Sequence, residues 1–169
     1  MEFRRAKISD LDQIVDIIEQ SKKYLKEVKV DQWQNGYPEK NDLRKDIEGQ
    51  NSYVLVNGND VLATTVISLN GESTYNSIFH GEWLTEEEYM VMHRVAVHNN
   101  YKGKGLFKEL IKEAKKIALS NNIHSIKIDT HKDNISMQKA LYNNDFKKCG
   151  VIYLEDGSER IAFELVLSI

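Results

Sequence analysis

With 169 residues, the chain is long enough for about one domain with a substantial core. Its 41% hydrophobic and 29% charged residues exclude a disordered protein, and no apolar run approaches the roughly 20 residues of a membrane span. A formal charge of -3 disfavours a generic nucleic-acid binder, and the single cysteine, Cys149, excludes an internal disulfide and a cysteine-based metal site.

Met1 to Ala6 carries charges with no apolar core behind them, so no secretory leader is expected and the cytoplasm is the default location. Glu2 to Lys7 suits a short edge strand. Ser9 or Asp10 can cap a helix whose apolar stripe is Leu11, Ile14, Val15, Ile18 and Leu25. The pattern stops from Asp31 to Lys40, where Trp33, Gly36, Tyr37 and Pro38 form an irregular aromatic segment. Asn41 can cap a short helix through Ile47, ended by Gly49. Ser52 to Val56 and Val61 to Leu69 are predicted strands joined by Asn57-Gly58-Asn59-Asp60, which is hairpin chemistry. Asn70 to Thr85 is polar and loop-like but carries Tyr75, Phe79 and Trp83.

Tyr89 to Val97 is a predicted central strand, and Leu106 to Leu119 a helix burying Leu106, Phe107, Leu110, Ile111, Ala114, Ile117 and Ala118. The lysines of that helix, Lys108, Lys112, Lys115 and Lys116, form a solvated face. His124 to Thr130 alternates as a further strand, and Asn134 can cap a helix that buries Met137, Ala140 and Leu141. Phe146 to Leu154 and Glu159 to Leu167 make a last hairpin around Asp156-Gly157. No repeat or linker interrupts this series. The expectation is one α/β domain of α+β type over residues 1–169, with a mixed, mostly antiparallel sheet flanked by helices.

Between the central strand and the long helix stands Asn100-Tyr101-Lys102-Gly103-Lys104-Gly105-Leu106-Phe107. Glycines let a backbone approach a ligand closely, and the unpaired N–H groups of a helix start favour phosphate. Two longer phosphate signatures fail here. A Walker A loop needs Lys-Ser/Thr after its last glycine, where Leu106 stands, and a dinucleotide fingerprint needs a third glycine where Lys108 stands.

Val95-Ala96-Val97-His98-Asn99-Asn100-Tyr101-Lys102-Gly103-Lys104-Gly105 closely resembles the acyl-CoA motif of the GNAT (GCN5-related) N-acetyltransferases. Asp133-Asn134-x-x-Met137-Gln138-x-x-Leu141-Tyr142 resembles that family's next block, and the order of elements resembles its whole fold. Two departures stand out: Asn100 replaces the usual Gln or Arg, and Asp145-Phe146 replaces the usual Gly-Phe. Neither removes backbone donors.

The resemblance implies acetyl-CoA as co-substrate, with no metal. It places the pantetheine arm on the backbone of Val95 and Val97, and the pyrophosphate on N–H groups from Lys102 through Gly103, Lys104, Gly105 and Leu106 to Phe107. Tyr142 matches the tyrosine that protonates or hydrogen-bonds the CoA sulfur, the alternative being a structural tyrosine. Asn134 matches a CoA contact, its rival role being an ordinary N-cap. His93, put by strand alternation on the face of Val91, Val95 and Val97, is the candidate base or water relay, beside the alternative of a satisfied structural histidine. Trp33, Tyr37 and Trp83 are candidates for an acceptor pocket, with Glu82, Glu86, Glu87 and Glu88 to attract a cationic amine; alternatively they close the core and solvate a helix start. The implied function is acetyl transfer to the primary amine of a small molecule. Acetylation of a protein N-terminus or lysine, or a non-catalytic CoA-binding module, are the alternatives. No nucleic acid or membrane partner is expected, and a homodimer is left open.

Overall fold

The computed structural model describes residues 1–168. Seven strands, β1 (Glu2–Arg5), β2 (Ser52–Asn57), β3 (Asp60–Ser68), β4 (Met90–Val97), β5 (Ser125–Thr130), β6 (Lys147–Tyr153) and β7 (Glu159–Val166), accompany four helices. These are α1 (Leu11–Glu27), α2 (Lys40–Glu48), α3 (Leu106–Ser120) and α4 (Ile135–Asn143). The strand order is β1-β2-β3-β4-β5-β7-β6. β4 and β5 pair in parallel, whereas β1–β2, β2–β3, β5–β7 and β6–β7 are antiparallel. The mostly antiparallel α+β sheet expected from the hairpin signals is therefore present. The chain divides into two compact units, and β4 and α3 each contribute to both.

The first unit holds Met1–Ile67 and His93–Glu113. α1 buries Leu11, Ile14, Ile17, Ile18 and Leu25. That stripe packs with Leu43 and Ile47 of α2, Val54 and Val56 of β2, Val61 of β3 and Ala96 of β4. Each fully buried side chain of this kind contributes about 1.5–3 kcal/mol. Ile17 replaces Val15 at the centre of the predicted stripe, while Val15 sits partly buried at its margin.

The helix starts differ from expectation. A 3-10 turn, Ile8–Asp10, precedes α1, and the Asp10 side chain does not cap it. Its carboxylate instead accepts from the Lys7 N–H at 2.7 Å and from the Arg4 guanidinium at 2.8 and 3.1 Å. Burial pushes the Asp10 carboxyl up, but Arg4 and the Lys7 N–H hold it below the usual range. α2 begins at Lys40 rather than after Asn41: Glu39 is its N-cap, and Asp42 reaches back to accept from the Glu39 N–H at 2.8 Å. A capping carboxylate three residues on outweighs the general preference for Asn at a helix start. At the far end Gly49 keeps a right-handed φ of −76° and Gln50 takes the left-handed one, at 60°.

The second unit holds Ser68–Met92 and the chain from Ala114 on. β5 and β7 are in register with Lys127 opposite Glu164, and β6 closes against β7 with a bulge between Lys148 and Gly150. The residues between β3 and β4, expected as a polar loop, are held closely. Ser73–Tyr75 forms a 3-10 turn, and Tyr75 is buried with Val91, Ile152 and Ala162. Phe79 exchanges two 2.8 Å backbone hydrogen bonds with Val151 of β6. Backbone approach explains the glycines there: a Cβ on Gly81 would lie 1.9 Å from the Cys149 carbonyl oxygen, and one on Gly150 would lie 2.6 Å from that of Phe79. α4 is capped as expected, since the Asn134 Oδ1 accepts from the Met137 N–H at 3.2 Å. Asp145, where the family pattern has glycine, does take the left-handed conformation, with φ 68°.

Candidate active site

In the first unit, β4 runs into a 3-10 turn, Asn99–Tyr101, and then into the glycine loop and α3. The turn is secured locally. The Asn99 N–H donates to Oε1 of Gln20 on α1 at 2.8 Å, and the Asn100 N–H donates to Nδ1 of His98 at 3.1 Å. Gly103 and Gly105 have φ of 75° and 79°, a left-handed conformation that costs any other L-residue about 1–2 kcal/mol. A Cβ at either position would meet nothing within 4 Å. The glycines are therefore there for backbone shape, and the space before them is open.

The Gly105 carbonyl accepts from the Glu109 N–H at 3.1 Å, so α3 starts at Leu106 and its first N–H groups, Leu106 and Phe107 among them, have no carbonyl one turn back. Alternating left-handed glycines followed by a helix start form a concave set of donors suited to a diphosphate. The two loop lysines do more than dissolve in solvent. Lys102 Nζ lies 4.6 Å from the Tyr24 ring centre and Lys104 Nζ 5.5 Å from that of Tyr101, which holds both cations beside the loop. This donor set fits a CoA pyrophosphate.

Along β4, Val95 is buried and Val97 partly so. His93 is partly buried, and its carbonyl accepts from Thr65 Oγ1 at 3.2 Å. Arg94 has φ 49° within the strand. A left-handed residue breaks the extended pleat, so the alternation that placed His93 on one face with Val91 does not carry across to Val95 and Val97. Arg94 itself was missed from sequence. Its guanidinium donates to the carboxylate of Asp46 on α2 and to the hydroxyl of Tyr37, and lies 5.1 Å from the centre of the Tyr37 ring. Burial raises the Asp46 pKa, against the lowering effect of Arg94 and of charge on His93.

Tyr37 is 45% exposed, whereas Trp33 packs on the core between α1 and α2. The other side of Trp33 borders a shallow hollow edged by Lys22, Lys23 and Lys26. Lys22 is committed within it, donating to the Pro38 carbonyl at 2.7 Å and the Gly36 carbonyl at 3.0 Å.

In the second unit, Tyr142 projects from α4 half exposed, its ring edge-on to Phe163 with centres 5.4 Å apart. That contact fixes the ring while the side chain stays half open to solvent. Asn134 is 8% exposed, and its Oδ1 accepts from Ser136 Oγ as well as the Met137 N–H, so the capping role is filled. Trp83 is occupied: its indole N–H donates to the Tyr75 carbonyl at 2.9 Å, and Lys127 Nζ sits 4.2 Å from its ring centre. Glu82, Glu86, Glu87 and Glu88 are exposed.

A buried charge cluster completes this unit, and sequence reading missed it. Glu164 is 0% exposed and accepts from the Leu84 N–H at 2.6 Å, Thr85 Oγ1 at 2.6 Å and Ser125 Oγ at 2.7 Å. Lys127, 3% exposed, lies between Trp83 and Tyr89, 4.0 Å from the latter ring centre. Burial lowers its pKa, against the raising charge of Glu164. Burial and the Glu164 charge push the Cys149 thiol up to about 11. The available signal was a single charge inside an apolar run on each of two strands, Ile126-Lys127-Ile128 and Phe163-Glu164-Leu165. Among the described residues no cluster of three metal-ligating side chains occurs, and no helix is long and apolar enough to cross a membrane.

A profile of the acetyltransferase (GNAT) family matches residues 17–146. No curated protein matches the chain. Among solved structures, a GNAT-family acetyltransferase from Streptococcus agalactiae 2603 is 27% identical with a TM-score of 0.89, over 99% of this chain and 96% of that one. A GNAT-family acetyltransferase from Listeria monocytogenes 4b F2365 is 18% identical (TM-score 0.74, 98% and 94% covered). A ribosomal-protein-alanine N-acetyltransferase from Brucella melitensis is 16% identical (TM-score 0.67, 99% and 100% covered). The last two likenesses concern the fold.

Proposed function

The chain belongs to the acetyltransferase (GNAT) family, and from that premise we propose that it transfers acetyl from acetyl-CoA to the primary amine of a small molecule by direct attack. The observation that carries the donor is the loop in which left-handed Gly103 and Gly105, each with open space where a Cβ would stand, lead into the start of α3. On this reading the N–H groups between Lys102 and Phe107 hold the pyrophosphate, the Lys102 N–H itself being turned to the Asn99 carbonyl at 3.4 Å; Lys102 and Lys104 add positive charge, and the backbone of Val95 and Val97 holds the pantetheine arm. Asn134 contributes through its place at the start of α4.

Acetyl-CoA supplies a thioester whose carbonyl carbon accepts the amine. The amine nitrogen forms a bond to that carbon as the carbon–sulfur bond breaks. One proton leaves the nitrogen, and one reaches the departing sulfur. Tyr142 is the proposed donor to sulfur, its hydroxyl carried on a half-exposed ring braced by Phe163. His93 is the proposed base or water relay, an imidazole nitrogen being able to take a proton from an ammonium. Direct attack is favoured over an acyl-enzyme because the one cysteine is a poor nucleophile. A thiol titrating at about 11 is ionised to about one part in ten thousand at pH 7.

The small-molecule acceptor is supported by the sheet edge at β6. Val151 already exchanges its N–H and carbonyl with Phe79, so that stretch has no free edge for an extended peptide. The Brucella relative carries a protein substrate in its name, but at 16% identity it bears on fold alone.

The test is release of free thiol from acetyl-CoA with a panel of small amines and of peptides with free N-termini or lysines. Turnover on small amines is expected. Turnover confined to peptides would replace the acceptor class, and CoA binding without turnover on any acceptor would leave a non-catalytic binding module.

A further inference from the structure

Among the described residues, seven non-glycine residues have left-handed backbone: Lys29, Trp33, Gln50, His80, Arg94, Asn122 and Asp145. Six lie in turns or bends between elements, and among the described residues Arg94 alone lies inside a strand. It carries a second cost, since its Nε is buried with no hydrogen-bond acceptor among the described residues. Strain and an orphaned donor on one residue persist only where other contacts hold them, and such positions gather at functional sites.

The contacts that hold Arg94 join three segments of the first unit. One terminal nitrogen donates to Asp46 of α2 and the other to the Tyr37 hydroxyl, with the guanidinium over the Tyr37 ring. The ion pair is largely withdrawn from water, at 15% and 18% side-chain exposure. The segment before Tyr37 is tied by Gln34, whose Nε2 donates to the Lys22 and Gln32 carbonyls at 3.0 Å. The Tyr37 N–H donates to Asn35 Oδ1 at 3.3 Å, and the Gly36 and Pro38 carbonyls both accept from the single ammonium of Lys22.

We propose that Arg94 is the positioning residue for the acceptor: it fixes the Tyr37-bearing segment against β4 and thereby sets which amines are accepted. The proposal rests on the reading of residues 33–37 as acceptor-facing. A planar fork reaches two acceptors in a fixed geometry while stacking on a ring. A lysine ammonium keeps the charge but not that geometry. Arg94 touches neither reacting atoms nor donor on this view, so its loss should be felt on the acceptor side.

The test compares Arg94→Lys and Tyr37→Phe with the parent chain by amide hydrogen exchange, CoA binding and steady-state kinetics on the amine accepted best. Exchange in peptides covering residues 31–39 should rise about tenfold in Arg94→Lys, and acceptor KM by a similar factor, the size of one charge-assisted hydrogen bond. Tyr37→Phe should move both in the same direction by about threefold, while kcat and CoA affinity stay within about twofold in both variants. Unchanged exchange in residues 31–39 would overturn the proposal. So would CoA affinity falling as far as acceptor affinity does, because a merely structural strand defect predicts that. Should Arg94→Lys fail to fold, Tyr37→Phe decides, since Tyr37 is a half-exposed surface residue. If the parent chain acetylates no amine, the acceptor reading and the specificity claim fall together, while the exchange arm still shows whether Arg94 holds the segment.

Discussion

The glycine loop of the first unit and the buried charge cluster of the second treat polarity in opposite ways. The first presents it as backbone: at Gly103 and Gly105 there are no side chains, the dihedrals are set by glycine, and the space a Cβ would fill is open. The second hides it as side chains: Glu164 and Lys127 lie inside, satisfied by Leu84, Thr85, Ser125 and two aromatic faces. A donor set that must receive a diphosphate has to stay unsatisfied within the chain. A charge that only fixes a fold has to be fully satisfied, because an unpaired buried charge costs several kcal/mol. Satisfaction, rather than charge itself, separates the binding polarity from the structural polarity.

Four substitutions sharpen this contrast. The largest effect on chemistry is expected from Tyr142→Phe, which keeps the packing on Phe163 and removes only the hydroxyl. Its kcat should fall by about a hundredfold, with acetyl-CoA KM within about twofold, in a thiol-release assay. Unchanged turnover would remove Tyr142 from the proton path.

Next comes Glu164→Ala, which strands three donors and leaves Lys127 without its counter-charge. Urea unfolding should show a loss of about 3–5 kcal/mol. A loss below about 1 kcal/mol would mean that the cluster is no fixture of the fold.

Gly105→Ala adds a Cβ that collides with nothing, so its penalty is conformational. Stability should fall by about 1–2 kcal/mol, and calorimetry should find CoA bound about tenfold more weakly. CoA affinity equal to the parent's would show that the loop does not hold the pyrophosphate.

The smallest effect concerns Asp10, whose folded pKa is lowered. A depressed carboxylate stabilises above its unfolded pKa, and the contribution disappears as pH falls through the folded value. The urea midpoint of Asp10→Asn should therefore lie below that of the parent near pH 7, with the gap closing as the pH falls beneath the ordinary aspartate range. A gap independent of pH would assign Asp10 a packing role.

The loop and its flanking strand and helix were legible because their cause is local. Glycine alone takes those φ values cheaply, and a helix start is written in a few consecutive residues. The hairpins at Asn57–Asp60 and Asp156-Gly157 were legible for the same reason. The Asn134 cap was readable too, although sequence left its second role open. Arg94, Asp46 and Glu164 were not legible, because their partners lie 48, 57 or 80 residues away. Only the fold brings such residues together. The starts of α1 and α2 show an intermediate case. Asp10 and Asn41 are good caps in isolation, but Arg4 and Lys7 captured the first, and Asp42, reaching back to Glu39, displaced the second.

Lys127 has a use beyond the fold. A protein that handles a reactive acyl donor exposes its own amines to stray acylation, which proceeds fastest on neutral amines. Lys127, its pKa lowered by burial, is ionised less completely than a surface lysine, yet its 3% exposure closes it to reagent. It is closed to reagent while the second unit is folded and reacts like an ordinary lysine once that unit opens, because the burial that lowers its pKa ends with the opening. The acyl label accumulating at Lys127 over time, compared with that at exposed Lys132 or Lys139, would therefore count how often the interior opens.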